Sequence, residues 1–218
     1  QVAIAPGEDL DAPPHTTCKA WAIADAKTGE KLWGANDDTA LDFASTTKVM
    51  MAHLICELAK DSPEILNETV MFSHRADATI GSTCELRAGE RLPVRDLLYG
   101  LLLPSGNDAA VAFAEHFGGR FEGNATQPPA PEPSDPLETF VAKMNAEAQE
   151  LGMTRTFFRN PHGLTEQRHQ SSASDLLVLA RRALASPLFG EVVATRQRDC
   201  QAIGETGEAR AVVWRNTN

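Results

Sequence analysis

The feature that most limits what this chain can become is a helix-length apolar run set directly behind a serine and a lysine. Phe43-Ala44-Ser45-Thr46-Thr47-Lys48 leads into Val49 to Lys60, which is apolar almost all round a helical period and closes at Asp61-Ser62-Pro63. A helix that is apolar on nearly every face has none to leave in water, so it must be central, and the proline ends it. The spacing predicts a buried central helix starting near Ser45, with the rest of the fold packed around it.

Two polar residues at the front of such a helix need a reason. A serine in the first turn sits where unpaired backbone N–H groups and the positive dipole end favour a developing oxyanion. Lys48, three residues on, projects from the same face and reaches the Ser45 hydroxyl. In an apolar setting desolvation penalises the ammonium form, so the lysine can act as a base near neutral pH and activate the serine as a nucleophile. On its own, Ser-x-x-Lys is equally the pattern of an ordinary N-cap followed by a surface lysine, so the remainder of the chain decides.

The chain has 218 residues, enough for one domain or one domain with a small subdomain. Its apolar share of 42% and charged share of 23% are those of a globular protein. The formal charge of −10 excludes the basic footprint of a nucleic-acid binder, and the arginines at Arg181-Arg182 and Arg196 to Arg198 read as solvated faces. No stretch is long and apolar enough to span a bilayer; the longest candidate is Leu97 to Leu103. His15, His53, His74, His116, His162 and His169 show no metal-ligand spacing, so neither a metal nor a cofactor is expected. Cys18, Cys56, Cys84 and Cys200 contain no Cys-x-x-Cys pair; Cys56 reads as a core residue, and a bridge from Cys18 to Cys200 or Cys84 is left open.

Residues 1–17 read as a surface arm. Lys19 to Asp25 and Lys31 to Gly34 flank Ala26-Lys27-Thr28-Gly29-Glu30 as a β-hairpin, and a short extended piece is expected around Val70-Met71-Phe72. Val94 to Leu103 predicts a buried helix broken at Pro104, and Asp108 to Phe117 a second. Ser105-Gly106-Asn107 is thereby trapped as a polar triplet between two apolar helices. Residues 118–136, with Pro128, Pro129, Pro131, Pro133 and Pro136, read as an exposed polyproline-like insertion. Leu137 to Leu151 predicts a helix, Thr156 to Leu164 a strand entering a turn, and Ser174-Asp175 the cap of a helix reaching Ala185. Glu191 to Cys200 and Ala209 to Arg215 are expected to form a second hairpin.

Three signals therefore follow in order: Ser45-Thr46-Thr47-Lys48, Ser105-Gly106-Asn107 and Asn160-Pro161-His162-Gly163-Leu164. Ser105 is placed to relay a proton between Lys48 and a leaving amine, and Asn107 to hydrogen-bond both a substrate amide and the lysine. With Ala20 to Asp25, Asp96 to Ala110, Met144-Asn145 and Leu151-Gly152-Met153, these segments make residues 18–218 resemble the serine D-alanyl-D-alanine carboxypeptidases, the low-molecular-mass penicillin-binding proteins. The resemblance implies an α+β penicillin-binding/β-lactamase-like transpeptidase fold, an antiparallel sheet flanked by helices with a helical subdomain. It implies a peptidoglycan stem peptide and β-lactam antibiotics as partners, with Ser45 as nucleophile, Lys48 its base, Ser105 the proton shuttle and Asn107 the substrate contact. His162 is given a loop-supporting role.

The resemblance also implies a third element, Lys-Thr-Gly on a strand beyond Trp214 to Asn218. The only such triplet here, Lys27-Thr28-Gly29, reads as a turn coincidence, so the chain is expected to be a fragment whose site is completed by a C-terminal segment or a second chain. Class A β-lactamases fit less well, because the loop is Ser-Gly-Asn and Glu64-Ile65-Leu66-Asn67 is one residue short of Glu-x-x-Leu-Asn. A D,D-endopeptidase that cuts cross-links, and a non-catalytic homologue that only holds wall peptides or β-lactams, remain the rival readings. The start at Gln1 fits a secreted protein after signal removal, which with a wall substrate places it outside the cytoplasmic membrane.

Overall fold

The apolar run after Lys48 becomes helix α1, Thr47–Asp61, in which Met50, Met51, Ala52, Leu54 and Ile55 are buried. In this computed structural model, which describes residues 16–121 and 135–217, α1 touches four other long helices: α3 (Val94–Leu102), α5 (Pro136–Glu150), α6 (Ala173–Leu184) and α7 (Pro187–Ala194). That many neighbours require an apolar surface all round, which is what the sequence supplies. A short helix α2 (His74–Asp77) and helix α4 (Asn107–Phe117) complete the helical part. Phe113, Phe117, Phe140 and Met144 are buried where α4 meets α5.

The strands form two antiparallel sheets rather than one. The first hairpin, β1 (Trp21–Ala24) with β2 (Lys31–Ala35), packs on α6. The second sheet runs β3 (Thr69–Met71), β4 (Arg91–Pro93), β5 (Gln197–Ile203) and β6 (Ala209–Arg215) in order. The β5–β6 hairpin carries most of its pairing, from Gln197 opposite Arg215 to Ile203 opposite Ala209. Along β6 only Val212 and Trp214 are buried, the period of two expected of a sheet with one covered face. The Trp214 indole N–H donates to the Cys84 carbonyl at 2.7 Å, fastening this sheet to the loop that borders the Ser105 turn.

Several elements differ from expectation. Glu191 to Ala194 is the end of α7, not strand: Ser186 accepts from the Phe189 N–H and Pro187 occupies the first helical turn, so the proline that stops α6 also starts α7. The cap of α6 is Ser172, two residues earlier than Ser174, with its hydroxyl accepting from the Asp175 N–H. Thr156 to Leu164 forms a single bridge, Phe157 opposite Gln170, and no strand. There the Asn145 amide stands in for a neighbouring strand, accepting from the Phe158 N–H at 2.8 Å and donating to the Phe158 carbonyl at 2.9 Å. Gly118–Phe121 is a 3-10 turn and Pro136 opens α5 after an Asp135 cap. The rest of the expected insertion, and residues 1–15 of the expected arm, lie outside the described residues. All four cysteines are free. No helix among the described residues is long and apolar enough to cross a membrane.

Candidate active site

The chain enters α1 through a 3-10 turn, Ala44–Thr46, with Ala44 at φ +47°. Two threonine hydroxyls brace the turn, Thr46 Oγ1 donating to the Phe43 carbonyl at 2.5 Å and Thr47 Oγ1 to the Ala44 carbonyl at 2.7 Å. Ser45 is left exposed at the surface while Lys48, one turn on, is only 1% exposed.

Burying an amine without partners would be costly. Lys48 Nζ has three: the Ser45 hydroxyl at 3.1 Å, the Asn107 side-chain oxygen at 2.7 Å and the His162 carbonyl at 2.8 Å. The two carbonyl-type oxygens can only accept. A neutral amine held by them donates both of its hydrogens there, and its lone pair falls towards Ser45. Burial lowers the Lys48 pKa from 10.5 to about 8, against a smaller opposing effect of the Asp108 carboxylate.

Asn107 reaches this position because Pro104 ends α3 and Ser105 turns the chain with φ +61°. Its amide also donates to the Ile80 carbonyl at 2.8 Å, and a side chain on Gly81, at φ +97°, would run into that amide. Asp108 is 2% exposed and holds the bordering loop: it accepts from Thr83 Oγ1 at 2.6 Å and from the backbone N–H groups of Cys84 and Ala109. The 160–164 turn closes the third side. Asn160 accepts from the Gly163 N–H at 2.7 Å and donates to the Leu164 carbonyl at 2.9 Å. Gly163, at φ +96°, presses on the Ala44 carbonyl where any Cβ would collide.

The structure thus brings Ser45, Lys48 and Asn107 together. Ser105 lies in the same loop, half-buried, and its hydroxyl makes no hydrogen bond to Ser45 or Lys48 among the described residues. His162 offers its backbone carbonyl, not its ring; the ring Nδ1 accepts from the Leu164 N–H at 3.2 Å, and burial beside Lys48 lowers its pKa to about 4. Lys27-Thr28-Gly29 forms the tip of the first hairpin, where Asp25 Oδ1 accepts from the N–H groups of Lys27 and Thr28. Sequence reasoning missed Gly81, Asp108, Asn160 and His169. Asp108 and Asn160 stood inside recognised segments without an assigned role, Gly81-Ser82 reads as a turn signal with no tie to the site, and no local pattern marks His169.

This arrangement of an α+β scaffold with a lysine shared between a serine at the start of one helix and an asparagine at the start of another is that of the DD-peptidases. The described fold superposes on the crystal structure of a Streptomyces DD-transpeptidase with a TM-score of 0.78 at 31% identity, covering 91% of this chain and 72% of that one. It also matches the D-alanyl-D-alanine carboxypeptidase DacD from Francisella tularensis, with a TM-score of 0.77, 27% identity, and 95% and 46% coverage. Residues 8–128 and 129–218 match the peptidase S11 family, described as D-alanyl-D-alanine carboxypeptidase, and the chain belongs to it. DacF of Bacillus subtilis is 36% identical over 166 residues, 76% of this chain and 39% of that protein. The Streptomyces D-alanyl-D-alanine carboxypeptidase is 31% identical over 195 residues, 88% and 63%. The chain spans less than two thirds of the length of these relatives.

Proposed function

We propose that this chain carries the acylation machinery of a serine D,D-peptidase that removes the terminal D-Ala from peptidoglycan stem peptides. The observation that supports this most is the coordination of Lys48, whose neutral form has its only unused electron pair directed at Ser45. The Ser45 proton passes to Lys48 Nζ as Oγ bonds to the carbonyl carbon of the penultimate D-Ala. The tetrahedral oxyanion forms at the positive end of α1. The C–N bond then breaks, the leaving amine takes the proton from Lys48 by way of Ser105, and D-Ala departs. Water attacks the Ser45 ester with Lys48 again as base and frees the shortened peptide. Asn107 holds the substrate amide with the second lone pair of its oxygen and the second N–H of its amide, the first of each being taken by Lys48 and Ile80.

A β-lactam enters the same first step, its ring C–N bond opening as Ser45 is acylated. The wall substrate puts the protein outside the cytoplasmic membrane. Intact mass before and after incubation with a penicillin tests the reading: a one-to-one adduct absent from Ser45→Ala is expected, and a wild-type mass that does not change overturns it.

A further inference from the structure

His169 belongs to none of the segments that define the site, and it is 1% exposed. Its ring lies flat against Phe43, centroids 4.7 Å apart at 6°, with Phe158 edge-on behind. Both nitrogens are engaged. Nδ1 is 3.1 Å from the Arg159 backbone N–H, which can only donate, so Nδ1 carries no proton. Nε2 must then carry one, and it faces Thr47 Oγ1 at 2.8 Å. The Thr47 hydroxyl, receiving that proton, spends its own on the Ala44 carbonyl at 2.7 Å. The hydrogen bonds of the run Arg159, His169, Thr47, Ala44 all point in one direction, towards the Ala44 carbonyl, which accepts from the Thr47 backbone N–H as well.

We propose that His169 is a positioning residue for Ser45: as the neutral Nε2–H tautomer it orients the Thr47 hydroxyl and thereby holds the left-handed Ala44 turn that presents the nucleophile. A second proton on the ring would set an Nδ1–H against the Arg159 N–H, so protonation breaks the run at its first link and loosens the turn. Burial lowers the His169 pKa from 6.5, opposed by the carboxylates of Glu166 and Asp42, and His162 also interacts with it electrostatically. The neutral form therefore holds at neutral pH, and the support is lost as pH falls through the lowered value.

The proposal deepens the acyl-transfer reading and rests on it for its kinetic arm only. In that arm, penicillin acylation of Ser45 is timed by intact mass for the wild type, Thr47→Val, Thr47→Ser and His169→Gln. Thr47→Val, which keeps the shape and removes the hydroxyl, should slow acylation about ten- to a hundredfold through misplacement of the nucleophile, and Thr47→Ser should restore it. The wild-type rate should fall with two protons at low pH, one at Lys48 and one at His169, and His169→Gln should keep only the first. In the second arm, nitrogen NMR of the unacylated full chain reads the His169 tautomer, and the Ser45 and Thr46 amide shifts are followed with pH. They should titrate with His169 in the wild type and not in Thr47→Val. An Nδ1–H tautomer, amide shifts indifferent to Thr47, or wild-type acylation by Thr47→Val overturns the proposal. A wild type that never acylates defeats the D,D-peptidase reading while the NMR arm still decides the relay.

Discussion

Helix α1 buries two basic side chains, Lys48 and His53, five residues apart, and their surroundings make them opposites. Lys48 is surrounded by neutral oxygens, two of which accept and one of which belongs to Ser45. His53 meets an anion instead: its Nε2 lies 3.0 Å from Glu147, which also takes a hydrogen bond from Lys143. The hydrogen bond from His53, with smaller help from Lys143, lowers the Glu147 pKa to about 2. With Nε2–H given to the carboxylate, Nδ1 is left as a buried acceptor without a hydrogen-bond partner among the described residues. A buried base surrounded by uncharged acceptors keeps a usable lone pair, whereas one paired with a carboxylate ties α1 to α5. The start of the helix therefore holds the groups proposed to react, while His53 in its middle joins two helices.

Exchanging the two behaviours by mutation tests that contrast. Lys48→Ala should slow Ser45 acylation by about a thousandfold or more, the scale of a lost general base, and the rate of penicillin adduct formation measures it. Asn107→Ala removes one of the two acceptors that aim the lone pair, and a fall of about a hundredfold is expected in the same assay. Changing pH tests the same point without mutation. The Lys48 pKa is lowered to about 8, so the reactive neutral amine accumulates and acylation rises as pH passes upward through about 8. The same depressed value makes the folded state release its proton before the unfolded chain does, so the burial cost of the ammonium is present below about 8 and fades between there and 10.5.

Glu147→Gln should leave acylation nearly unchanged but destabilise the protein by about 1–3 kcal/mol, read as a lower thermal midpoint, because it removes a charged partner from His53 and Lys143. If it instead slowed acylation as much as Lys48→Ala, the division of α1 into two functions would fail. The stability that the wild-type carboxylate contributes is present above pH 4.5 and disappears as pH falls through about 2. Smallest of all, breaking the exposed Lys31–Asp37 pair should leave the chemical-denaturation midpoint nearly unchanged.

Local signals in the chain account for the long helices. The apolar run with its proline stop marks α1, Pro104 separates α3 from α4, and Gly29 and Gly207 mark the two hairpin turns, both at positive φ. Ser45 and Lys48 were legible because three residues span less than one helical turn, and geometry at that range follows from the helix alone. The run from Glu191 to Ala194 was misread because its β-branched valines suit a strand, and the Ser186-Pro187 start signal that outweighs them lies outside it. Thr156 to Leu164 was misread for another reason: its backbone is paired by the Asn145 side chain, which no strand pattern records.

Local sequence is enough for the central helix, the serine and lysine paired at its start, the polar triplet after Pro104 and the family to which these motifs belong. Each follows from contacts within one turn of a helix or within a short peptide. Only the tertiary structure decided which oxygens surround Lys48, that the His162 backbone rather than its ring serves it, and that His169 reaches Thr47 from 122 residues away. It also decided that the strands divide into two sheets. A lysine's basicity depends on desolvation and on the sign of its neighbours, and both come from chain segments that are brought together only by folding.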